Sequence, residues 1–157
     1  MLSKFINSFL DKKFPMTVHA HCDGPCGVYD PASTRVAAEA VLSMTKKMAD
    51  LSTPDSSNST TMSAYLNTMS RYASIKEQEA KKCKDELLIL WTDFFKPEHL
   101  EVHPNLHKTF WNAAKLCSAC KVEVSIDHAS ELLEKVKEVH ELFWSVKGRD
   151  ISWYTAG

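Results

Sequence analysis

The chain has 157 residues, 44% of them hydrophobic and 25% charged, the balance of one globular domain and not of a disordered chain. Nineteen Lys and Arg against 20 Asp and Glu leave a net charge of −1, which gives nucleic acid or an anionic membrane surface no electrostatic hold. Four glycines are few for a fold of many tight turns, and five cysteines, an odd number, fit a disulfide scaffold poorly.

The first twenty residues, MLSKFINSFLDKKFPMTVHA, have the outline of a secretory signal ending at Val18-His19-Ala20. Asn7, Ser8, Asp11, Lys12 and Lys13 interrupt what should be an unbroken apolar stretch, so a short amphipathic leader is the better reading. An ordinary disordered terminus is its alternative. No apolar run reaches the ~18–20 residues that a membrane span requires. Residues 21–29, HCDGPCGVY, carry no helical pattern.

From Asp30 onward the pattern is helical. Asp30-Pro31 predicts a helix start, an Asp cap followed by Pro at the first helical position. Ala37, Ala40, Val41, Met44, Met48 and Leu51 follow at steps of three and four. Ser52 to Thr60 reads as a polar loop. A longer helix then carries Met62, Tyr65, Met69, Tyr72, Ala80, Cys83, Leu87, Leu90 and Phe94 on one side. Pro97 and Pro104 bracket a short connection. A third helix is predicted over about Asn105–Cys120, with Leu106, Phe110, Ala113, Ala114 and Cys117 inward. The fourth spans Ile126–Lys147 with Ile126, Ala129, Leu133, Val136, His140 and Phe143 as its stripe, and Gly148 as its stop. The expected fold is all-α: an antiparallel, up-down four-helix bundle preceded by an irregular N-terminal segment.

That segment holds the chemistry. Cys22 and Cys26 can place two sulfurs on one ion if the chain between them curls, and Gly24, Pro25 and Gly27 favour such a curl. His21 can reach the same point. Thiolates with an imidazole suit zinc, copper or nickel and disfavour magnesium or calcium. Two unpaired thiols in a surface loop are the bland alternative. Cys117 and Cys120 share a helix face, and with Cys22 and Cys26 they would make a four-thiolate zinc site. Against this, Cys117 lies on an apolar stripe, where a free cysteine packs as a small hydrophobe; Cys83 reads the same way. His99 and His103 lack the Glu of a metalloprotease helix and read as surface or capping residues. Walker, dinucleotide and G-x-S-x-G motifs are missing from the sequence.

The run HCDGPCGVYDP, residues 21–31, resembles the metal-binding hook of nickel-containing superoxide dismutases. The likeness extends over essentially everything after residue 20, including Lys76-Glu77-Gln78, the WTDFFKPEH of Trp91 to His99 and an FW pair near the C-terminus. It implies a hexamer of four-helix bundles, one nickel ion per subunit, superoxide as substrate and residues 1–20 as a pro-segment removed by a maturation protease. Residues 21–157 would then be the catalytic domain. Cleavage between Ala20 and His21 would free a primary amine. The resemblance implies that this amine, the backbone amide of Cys22 and the thiolates of Cys22 and Cys26 hold the metal, with the His21 imidazole axial in the oxidised state. It implies that Tyr29 closes the pocket and that the backbone around Asp23 and Cys26 positions the anion and protons. Four positions depart from the family pattern. Gly24 replaces a Leu found in some members, Phe94 replaces a second pocket tyrosine, and Ala37 and Glu79 replace a Glu and Arg that support the axial imidazole. Glu79 is therefore the expected acceptor for the imidazole N–H. Reduced, available cysteines and the weak leader point to the cytoplasm. The leader carries Lys4, Lys12 and Lys13 against Asp11, so its loss takes the net charge from −1 to −3.

Overall fold

The computed structural model describes residues 27–157. Helix α1 (Ala32–Ala49) begins where a carboxylate and a proline together end the extended chain. Asp30 Oδ1 accepts the Ala32 N–H at 2.8 Å, and the Pro31 carbonyl accepts Arg35 N–H at 3.1 Å. Pro31 thus occupies the cap position, and the helix starts one residue later than expected. Ala37, Ala38, Val41 and Met48 are buried on one face, and the buried Thr45 hydroxyl donates to the Val41 carbonyl at 2.8 Å.

Helix α2 (Ser59–Ile89) starts inside the stretch expected to be loop, because the Asn58 side chain accepts from Thr60 N and Thr61 N, both at 3.1 Å. Ser33 Oγ donates to Glu86 Oε2 at 2.8 Å, joining the start of α1 to the end of α2, as in an antiparallel pair. At about 1.5 Å per residue, α1 ends near the level of residue 70 on α2. The buried side chains of α2 accordingly begin at Lys76 and continue through Ala80, Cys83 and Leu87. Met62, Tyr65, Met69 and Tyr72 keep the expected spacing but are only half-buried, since they lie near or past the end of α1.

The end of α2 widens into a π turn over Leu90–Phe94, closed by Phe95 N–H donating to the Leu90 carbonyl at 3.2 Å. A four-residue helix, α3 (His99–Val102), occupies the connection between Pro97 and Pro104 and was not anticipated. The backbone N–H of Lys96 donates to His99 Nδ1 at 3.0 Å, so His99 is a capping residue as expected. Helices α4 (Leu106–Val122) and α5 (Ile126–Val146) complete the bundle. Ser125 caps α5 through His128 N–H at 3.2 Å, and Gly148, at φ +64°, ends it in the left-handed conformation that glycine tolerates best.

The long helices pack in a ring, α1 on α2, α2 on α4, α4 on α5 and α5 on α1, which is the up-down bundle. Val41, Leu87, Leu106, Phe110, Leu132, Val136 and Phe143 are fully buried at its centre. Lys76, 2% exposed, crosses from α2 to the open end of α4. Its amine donates to the carbonyls of Cys120 at 2.5 Å, Glu123 at 2.7 Å and Lys121 at 3.3 Å. Burial pulls the amine below the usual lysine range, yet it satisfies carbonyls that the helix leaves unpaired. Lys76→Met should cost about 2 kcal/mol, because acceptors are left unpaired in a closed corner. Denaturant unfolding measures this, and an unshifted midpoint would mean that water replaces the amine.

Candidate metal centre

The described part of the site begins at Gly27, whose φ of +83° turns the chain toward the bundle in a conformation that favours glycine. Val28 then faces solvent and Tyr29 is half-buried, its ring 5.8 Å from that of Phe94. The two positions that the resemblance pairs as pocket residues therefore meet in space. Phe94 is held from behind by Phe143 at 4.3 Å and edge-on by Phe95 at 4.8 Å. The π turn puts Phe94 in this place while Phe95 enters the core.

Between Gly27 and Tyr29 on one side and the end of α5 on the other lies an open cavity of about 280 Å³. Phe94, Lys96, His99 and Lys147 line the rest of it. The Lys147 amine stands 5.2 Å above the Phe94 ring, a cation–π arrangement. Asp93 borders the same space, with Oδ1 accepting from the Thr92 hydroxyl at 3.0 Å and Oδ2 buried without a hydrogen-bond partner among the described residues. Two cations, a carboxylate and an imidazole thus surround the point where the chain enters from residue 26. Of these wall residues the sequence singled out only His99, as a surface or capping residue. Asp93, Lys96 and His99 lay within the recognised WTDFFKPEH run, but nothing local marks Lys147.

His21, Cys22, Asp23 and Cys26, with the Ala20–His21 junction, lie outside the described residues. Glu79 is described. It is half-buried on α2, one turn from Cys83, and makes no hydrogen bond or ion pair among the described residues. From the Ser33–Glu86 pin, Glu79 lies about 10 Å down the bundle and Ala37 about 6 Å down, so they share a level to within one turn. Tyr29 lies on the other side of the pin. The structure does not bring Tyr29 and Glu79 together, although residues 21–28 are long enough, at ~3.3 Å each, to bridge them.

The other cysteines are core residues. Cys83 and Cys117 are fully buried in sulfur contact across α2 and α4, and Cys120 is 2% exposed. The hydrogen bond that the Cys83 thiol donates to Cys117, followed by burial, raises that thiol well above its ordinary value. Burial, with Cys117 adding to it, pushes Cys120 up to about 11. This corrects the four-thiolate zinc constellation: Cys117 and Cys120 are packed inward, and no group of three or more metal-ligating side chains forms among the described residues. All three thiols should resist alkylation at pH 8 until the chain unfolds, as peptide mass mapping would show. The unfolded Cys120 thiol ionises near 9.0 and the folded one near 11. Its contribution to stability is therefore complete below pH 9 and is lost as the pH rises through 11.

Comparison with known proteins bears on the family. The family model described as nickel-containing superoxide dismutase matches residues 16–147. The superoxide dismutase [Ni] of Streptomyces coelicolor is 36% identical over 132 residues, covering 84% of this chain and 92% of the relative. That of Streptomyces seoulensis is 38% identical over 130 residues, covering 83% and 90%. A crystal structure of a nickel-containing superoxide dismutase after partial X-ray-induced reduction superposes with a TM-score of 0.69 at 38% identity, covering 82% of this chain and 99% of its own. A native structure of such an enzyme gives 0.68 at 35% identity, covering 81% and 99%.

Proposed function

The chain belongs to the nickel-containing superoxide dismutase family, and on that footing we propose that residues 21–29 build its metal centre. The protein is an oxidoreductase that converts superoxide to dioxygen and hydrogen peroxide with one nickel ion per subunit. One-electron cycling between Ni(II) and Ni(III) is the chemistry the bound ion supplies, reducing one superoxide to peroxide and oxidising another to dioxygen. The donor set present in this sequence fits the metal: two soft thiolates with nitrogen donors favour nickel, and anionic sulfur and amide ligands stabilise its higher charge.

The remaining roles belong to the chain's own residues. Cys22 and Cys26 would supply the thiolates, and His21 its amine and imidazole. A primary amine exists there only after cleavage behind Ala20; until then the His21 nitrogen is a neutral amide, a poor ligand, whereas the Cys22 amide would bind in its deprotonated form. Residues 1–20 are accordingly read as a pro-segment whose removal by a maturation protease completes the ligand set. Tyr29 and Phe94 wall the approach to the hook, and Lys96 and Lys147 offset the net negative charge of the chain there. Asp23 and Cys26 would position the anion and protons through their backbone.

The observation that carries this reading is the HCDGPCGVY run itself, inside the matched span and joined at Gly27 to a cavity bounded by Tyr29 and two lysines. Intact-mass and metal measurement on protein matured in its native host tests it. The expected result is an N-terminus at His21 with about one nickel per chain. Zinc at full occupancy, or an uncleaved active chain, would overturn it.

Glu79 is read as the acceptor of the axial imidazole N–H, because it is half-buried, unpaired among the described residues and level with Ala37. Glu79→Gln should shift the electronic spectrum of the oxidised site and slow turnover by about tenfold. Spectra and turnover matching the parent would remove Glu79 from the site. A hexamer is favoured by the half-buried Met62, Tyr65, Met69 and Tyr72 together with Leu66, 57% exposed, on the part of α2 that extends toward and past the end of α1. Cytoplasmic location is favoured by a site that needs reduced thiols. No described helix is long and apolar enough to cross a membrane.

A further inference from the structure

Residues 148–157 fall beyond the span that matches the family, yet they are bound along a defined path. After Gly148 the chain turns, and Arg149 N–H donates to the Trp144 carbonyl at 2.9 Å while its guanidinium lies 5.0 Å over the Trp144 ring. The Ile151 carbonyl accepts from His140 Nε2 at 2.8 Å. Trp153 stands edge-on to His140 at 5.4 Å and packs against the bundle core. The Tyr154 ring receives the Arg35 guanidinium at 4.1 Å. Ala156 N–H donates to Glu39 Oε2 at 2.7 Å, and the other oxygen of Glu39 pairs with Arg35 at 2.5 Å.

The two ends of this path are informative. The tail departs from Lys147, a wall of the hook cavity, and finishes on the first two turns of α1, whose chain enters directly from Gly27 and Tyr29. On its other side the start of α1 is tied to α2 by the Ser33–Glu86 hydrogen bond. We propose that residues 149–157 are a positioning strap for the metal centre, tying the first two turns of α1 to α5 so that Tyr29 and Lys147 keep their spacing across the cavity. Helix starts open locally more readily than the rest of a bundle, and a site whose ligands enter through such a start gains most from a brace there. The strap rests on the reading of residues 21–29 as the nickel hook.

The test uses the chain starting at His21, in three forms: Trp153→Ala with Tyr154→Ala, a chain ending at Lys147, and Tyr154→Phe, which keeps the ring for Arg35. Amide hydrogen exchange is followed on the metal-free protein, and nickel release to a chelator on the loaded protein. In the first two variants, exchange over residues 32–39 should rise about tenfold while α4 amides stay as in the parent, and nickel should leave several-fold faster. Tyr154→Phe should restore both. Exchange that rises equally through all helices would make the tail a general stabiliser and overturn the proposal, as would no change over residues 32–39. A parent that holds no nickel would refute the hook, while the exchange comparison would still decide whether the tail braces α1.

Discussion

Cys22→Ser or Cys26→Ser should leave a folded bundle that retains no nickel and consumes no superoxide above background. A serine hydroxyl does not ionise near neutral pH and is a hard oxygen donor, so either change removes half of the sulfur set that nickel prefers. Loss of an outer hydrogen bond to a metal ligand costs about 10–100-fold, and loss of a ligand should exceed that. The helices should be unaffected, because both residues precede α1 in the chain, and the cluster built from Val41, Leu87, Phe110, Val136 and Phe143 is carried by the helices themselves. Metal content by mass spectrometry and the thermal midpoint of the metal-free chain check the two halves separately. Cys117→Ser is the contrasting control. It should keep nickel and lose stability, since it places a hydroxyl in a closed space between α2 and α4. Metal loss in Cys117→Ser with retention in Cys22→Ser would reverse the assignment.

Phe143→Ala should be the most damaging change to the fold, costing about 3–5 kcal/mol. The side chain is fully buried and touches the rings of Phe94 and Trp144 at 4.3 and 4.9 Å. For a domain of this size the thermal midpoint should fall by roughly 10 °C or more. The effect should also reach the site, because Phe94 would lose the ring behind it and Tyr29 rests on Phe94. Denaturant unfolding gives the energy, and hydrogen exchange at residues 27–31 gives the local consequence. A loss below 1 kcal/mol would mean that the aromatic wall collapses to fill the space at little cost.

The helices could be read from the sequence because a three-four spacing of apolar residues and a few strong stops, Gly148 above all, are local signals. Spacing identifies a face but not what covers it. Met62, Tyr65, Met69 and Tyr72 therefore read as core, although α1 is too short to cover all of them. The π turn was invisible because LWTDFF is equally apolar at either period, and α3 because four residues carry no period at all. The family resemblance was legible for the opposite reason: the proposed donors lie within six residues, 21–26, and their order is distinctive. The cavity beside them was not, since Tyr29, Asp93 and Lys147 are brought together only by closure of the bundle. The zinc alternative failed at the same level. Cys117 and Cys120 have ligand spacing, and only packing shows that both sulfurs point inward.

The wide turn at Leu90–Phe94 has a consequence of its own. An α-helix advances about 100° per residue, and a π turn accommodates one more residue than that rhythm allows. It works as a phase slip in the last turn of the helix, setting the directions of Phe94 and Phe95 as the chain leaves the helix for an extended conformation at Phe95. Deleting one residue from this turn, Thr92 for example, would restore the rhythm and swing Phe94 and Phe95 around by roughly a quarter turn. The bundle would still have two rings to bury, but Tyr29 would face a gap. Chain length at this one point, and not only residue identity, therefore sets which aromatic meets the hook.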